Sequence, residues 1–185
     1  MRRILGVMMA AAVVALLVGC AAVEKPVVQE TSRPATSCQC SVFFSPDGGA
    51  TEAIVDAISS ATKSVLVQAY SFTSRPIAKA LLDAKERGVD VRVILDGSTT
   101  DHQYSPADFF ANSGISTKLD YAHALAHNKV MIIDGETVIT GSFNFTKAAE
   151  TKNAENVLII HDRTLAARYT ANWNAHSSHS RWYRR

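Results

Sequence analysis

From Ser41 onward the apolar positions switch between two periods. Val42-Phe43-Phe44 reads as a short strand, and residues 52–61 set Ile54, Val55 and Ile58 at helical spacing. Residues 65–70 are again strand-like. Ser74 stands where an N-cap belongs, before a helix with Ile77, Ala80, Leu81 and Ala84 on one face and a stop at Gly88. Residues 89–95 are β-branched and alternating, a third strand. Ser105-Pro106-Ala107-Asp108 has capping-box form before a short helix ending at Gly114. Further strands are expected at 115–119, 130–133, 138–143 and 157–160, and Asp162 caps a final helix through Leu165, Tyr169 and Trp173. Strands alternating with helices, several of them continuously apolar, predict an α/β domain whose mixed, mostly buried β-sheet is flanked by helices.

Composition agrees and narrows little. The 185 residues are 47% hydrophobic and 19% charged, enough for one domain with a sizeable core and too apolar for disorder. Three cysteines are too few for a disulfide-built miniprotein or an ordinary four-ligand zinc site. A net charge of +2 gives no overall electrostatic case for nucleic acid.

The first twenty residues follow other rules. Arg2 and Arg3 precede an apolar run from Ile4 to Val18, then Gly19-Cys20-Ala21-Ala22, the form of a secretory signal. Leu17-Val18-Gly19-Cys20 also resembles a bacterial lipobox, in which the cysteine is lipidated. Cleavage without a lipid and an uncleaved anchor are the alternatives. The expected division is a signal over 1–19, a linker over 20–40 rich in Pro, Ser and Thr, and the domain over 41–185. The expected location is the periplasm, free or anchored to the membrane through Cys20. Cys38 and Cys40 end the linker, and either a strained pairing or an intermolecular bridge is open to them.

Candidate chemistry gathers between His127 and Glu155. His127 and Lys129 share one face of an extended stretch, as do Ser142 and Asn144, and Asp134-Gly135 between them is a hairpin-turn pair. A two-residue or a four-residue loop would bring all four side chains to one face; only a bulge adding one residue would separate them. A histidine, a cation, a hydroxyl and an amide together form a cradle for an anion such as phosphate. The remaining histidines, His102, His123, His161, His176 and His179, read as surface or packing residues.

His127-Asn128-Lys129, Asp134-Gly135 and Gly141-Ser142-Phe143-Asn144 match the H-x-K-x4-D-G…G-S-x-N signature of the phospholipase D superfamily. Residues 145–156, 69–73 and 84–91 resemble its small bacterial endonuclease members, and the likeness covers residues 42–173. The resemblance implies a phospholipase D/nuclease-like sandwich and metal-free chemistry through a phosphohistidine. His127 would be the nucleophile, Lys129, Ser142 and Asn144 would hold phosphate oxygens, and Glu155 would orient the histidine. Asp134 belongs to the motif, but its place in the turn suggests that it shapes the hairpin. No cofactor and no metal are implied. The motif occurs once, so a homodimer pairing two His127 side chains would supply both nucleophile and acid.

The expected substrate is the DNA backbone, or RNA, with Lys118, Lys129, Lys147 and Lys152 as a local stripe. A lipid phosphodiesterase and an exported nucleic-acid-binding protein are the rivals. The tail Arg181-Trp182-Tyr183-Arg184-Arg185 reads as a frayed end or a membrane contact ahead of a single-strand binder.

Overall fold

The computed structural model describes residues 39–100 and 105–184. The signal, Cys20, the linker up to Cys38, and His102 lie outside the described residues. Among the described residues, eight strands form one sheet in the order β1-β7-β6-β5-β2-β3-β4-β8. These are β1 (Gln39–Ser45), β2 (Ser64–Ala69), β3 (Asp90–Asp96), β4 (Ser116–Asp120), β5 (Lys129–Ile133), β6 (Thr137–Gly141), β7 (Glu155–His161) and β8 (Arg181–Trp182). Only β2, β3 and β4 run parallel; the other neighbours are antiparallel, so the sheet is mixed as expected. β1 begins at Gln39 and includes Cys40, which is exposed and makes no disulfide among the described residues.

The two faces are covered by different helices. On one face, α1 (Ala50–Ser59) and α2 (Arg75–Glu86) bury Ile54, Ile58, Ile77 and Leu81 against Val65, Val67, Met131 and Ile139. On the other, α5 (Arg163–His179) lays Ala166 and Trp173 on Ile94, Val130, Ile132 and Val138. Strand residues alternate between these two cores, which is why the central strands read as continuous apolar runs.

Local chemistry sets the ends. Asp162 caps α5, accepting from the amides of Thr164 and Leu165. Ser105 caps α3 (Pro106–Asn112) through the Ala107 amide, and Gly114 closes it in the left-handed region. Ser74 precedes α2 but makes no side-chain cap bond.

Two elements in particular, besides a short 3-10 turn over Gly97–Thr100, escaped the pattern. α4 (Lys147–Thr151) is one short helix whose cap, Thr146, accepts from the Ala149 amide. The tail is not frayed at 181–183: β8 pairs with β4, and the Tyr183 hydroxyl donates to Asp108. A two-residue ladder, the Tyr183 amide donating to the Thr117 carbonyl and one aromatic hydroxyl hold it, too few positions to show a period.

Candidate active site

The parallel strands β2, β3 and β4 all end at one sheet edge, the place where open α/β sheets bind ligands. β5 runs antiparallel to β2, with Lys129 opposite Ala69, so the segment entering β5 delivers His127 to that same edge. His127 is exposed, whereas Lys129 is only 7% exposed. The Lys129 ammonium donates to the carbonyl of His127 at 2.9 Å and lies 3.2 Å from each ring nitrogen. A neutral imidazole offers one lone pair, so the tautomer decides which nitrogen accepts. Tyr70, which carries no site signal of its own in the sequence, completes the grouping. Its ring lies 4.6 Å from that of His127 and 5.2 Å from the Lys129 nitrogen, and its amide donates to Asn128.

Burial pushes the Lys129 ammonium down from its ordinary range, and the charge of Glu155 partly opposes this. Glu155 accepts from the Ser142 hydroxyl at 2.5 Å and from the Asn153 amide at 3.1 Å. Among the described residues it makes no hydrogen bond to His127, so the expected orienting contact is replaced by a bond to Ser142.

The hairpin reaches this arrangement by an unexpected route. Ile133 pairs with Thr137, a three-residue connection one residue away from both expected registers. Continued straight on, that register would turn Ser142 away from the face of Lys129. The amides of Ser142 and Phe143 both donate to the Asn156 carbonyl, a bulge that adds one residue and turns Ser142 toward Glu155. Gly141 permits it: its φ is 154°, and a Cβ there would run into the Asn156 carbonyl. Asn144 follows between the buried rings of Phe143 and Phe145, its Oδ1 enclosed without a hydrogen-bond partner among the described residues.

Asp134 does not join the group. It sits at the far end of β5, seven residues from His127, or roughly 20 Å of strand. Its carboxylate accepts from the amides of Thr62, Lys63 and Ser64 and from the Thr62 hydroxyl. Burial alone would raise this carboxyl; those bonds outweigh it and hold it below the usual carboxylate range. Asp134 ties the turn to the start of β2.

The fold and this histidine–lysine edge define a class, and comparison with known proteins gives it a name. The family model described as "Cardiolipin synthase, PLD-like domain" matches residues 54–176. The chain belongs to the phospholipase D superfamily. It is 45% identical over 133 residues to a phospholipase D of Rickettsia felis, covering 72% of this chain and 66% of that protein. It thus spans just under two thirds of that relative's length. A mitochondrial cardiolipin hydrolase of Chlamydomonas reinhardtii is 36% identical over 115 residues, covering 62% of this chain and 52% of that protein. Among solved structures, the phospholipase D family member Nuc from Salmonella typhimurium superposes with a TM-score of 0.76 at 43% identity. That likeness covers 80% of this chain and 99% of Nuc.

Proposed function

We propose that this chain is a metal-independent phosphodiesterase, and that its substrate is the backbone of DNA or RNA. The observation that carries the reading is the exposed His127 imidazole held against a buried Lys129 ammonium at the ligand-binding edge of the sheet. In this reading a His127 ring nitrogen attacks phosphorus, and the bond from phosphorus to the leaving oxygen breaks as that oxygen takes a proton. Water then attacks the phosphohistidine, the P–N bond breaks, and His127 is restored. Lys129, Ser142 and Asn144 hold the charged phosphate oxygens, the work a metal ion does elsewhere.

The acid that protonates the leaving oxygen is the His127 of a second copy. Tyr121 and Leu125, both more than half exposed on the loop that carries His127, are apolar surface suited to a self-complementary interface. Lys147 and Lys152 are exposed on and beside α4, just beyond Asn144, where a phosphate chain would pass. Lys118 leaves the expected stripe, because its ammonium is bound to Ser177 and to the Trp182 ring.

A lipid phosphodiesterase is the second reading, favoured by relatives named phospholipase D and cardiolipin hydrolase. Supercoiled plasmid and cardiolipin vesicles, each assayed in EDTA at 25 °C with circular dichroism confirming the fold, separate the two. Nicking by wild type and not by His127→Ala is expected, with a loss of about a thousandfold or more. Cardiolipin hydrolysis with intact plasmid would transfer the assignment to lipid, and inertness toward both would overturn it.

A further inference from the structure

A second constellation lies on the same sheet edge, at the end of β4, and the proposed reaction does not use it. Asp120 ends β4 with its side chain fully buried. Its Oδ2 lies 3.1 Å from His123 Nδ1, 2.9 Å from His176 Nδ1 and 3.2 Å from His179 Nε2. The three rings surround it, with centroids 4.9–5.2 Å apart. One ligand atom from each of the four residues lies within 4.8 Å of all the others. Among the described residues no lysine or arginine pairs with this carboxylate.

We propose that Asp120, His123, His176 and His179 bind a zinc-class divalent transition metal as a closed structural site. Three imidazoles and one carboxylate are a donor set for such an ion, and four protein ligands leave no open position for chemistry. A tetrahedral ion with bonds of about 2.0–2.1 Å spaces its ligand atoms roughly 3.3 Å apart, close to the three distances at Asp120 Oδ2. The residues form two pairs, each three apart: Asp120 with His123 leaving β4, and His176 with His179 on consecutive turns of α5. Asp120 Oδ1 accepts from the Ala122 amide, which fixes the carboxylate as second-sphere bonds fix metal ligands.

The fold gives the ion a task. Trp173 is the last buried residue of α5, and the helix runs on for six residues to His179. An ion held by His176 and His179 would staple that end of α5 to the loop that continues from Asp120 to His127.

The test uses the full chain, stripped with chelator and dialysed against zinc alone. Metal content by mass spectrometry, zinc titration calorimetry and thermal unfolding are compared with His176→Ala, His179→Ala and His123→Ala. Expected are about one zinc per chain, affinity lowered by about 10²-fold in each variant, and a zinc-dependent rise in wild-type unfolding midpoint of about 5–10 °C at hundredfold excess over Kd. Undiminished binding in all three variants, substoichiometric zinc in wild type, or an unmoved midpoint would each overturn the proposal, leaving a metal-free hydrogen-bonded cluster. Because none of these measurements reads hydrolysis, the outcome is independent of the substrate assignment.

Discussion

Lys129 carries the sharpest conflict between stability and chemistry. Burial disfavours its ammonium, and since its folded pKa lies below the unfolded one, the charge costs stability at every pH below that folded value. The same burial keeps water from screening the ammonium, which in the proposed reaction would strengthen its hold on a phosphate oxygen. Lys129→Met is therefore expected to lower hydrolysis by about 10²–10³-fold while leaving the unfolding midpoint unchanged or higher. A large fall in midpoint would show that the lysine is there for structure. His127 and Lys129 were legible in the sequence because residues two apart in an extended stretch share a face whatever their partners do. Tyr70 and the Ser142–Glu155 bond were not, because contacts between strands depend on register.

At the scale of elements, the hairpin from β5 to β6 shows where pattern reasoning stops. Asp134 and Gly135 both adopt positive φ, 56° and 68°, as the Asp-Gly pair signals. The extra residue in the connection leaves no such signal, and the bulge at Ser142 that offsets it shows in sequence only as Gly141. Gly141→Ala should cost about 1–3 kcal/mol by chemical denaturation and, by displacing Ser142, about 10²-fold in activity.

Asp134 belongs to the same hairpin and titrates in a predictable direction. Its folded pKa is lowered, so the stability it supplies is fully present above the unfolded value near 4 and is lost as pH falls through the folded one. Asp134→Asn should be less stable than wild type by about 1–3 kcal/mol at pH 7, with the gap closing below about pH 4. A pH-independent gap would contradict the carboxylate's role in tying the turn to β2.

For the molecule as a whole, the sheet with helices on both faces was readable because buried strands and amphipathic helices carry their periods openly. The one-turn α4, the two-residue β8 and the Asp120 cluster were not, since each depends on contacts between distant segments. His176 and His179 stood at helical spacing, but nothing in the chain pointed them at Asp120, 56 residues upstream of the first. Assembly is the remaining whole-molecule question. If one His127 attacks while the other donates the proton, a heterodimer of wild type and His127→Ala should lose about 10²-fold in activity rather than half. Half-activity would mean that each chain works alone.

The proposed reaction turns on a covalent bond between His127 and phosphorus. Wild type mixed with substrate diester in EDTA, quenched in alkali within milliseconds and mapped by mass spectrometry, reads this directly. A phosphoryl adduct on His127 that forms before product and is absent from His127→Ala is expected. Turnover with no adduct, or an adduct on any other residue, would contradict it.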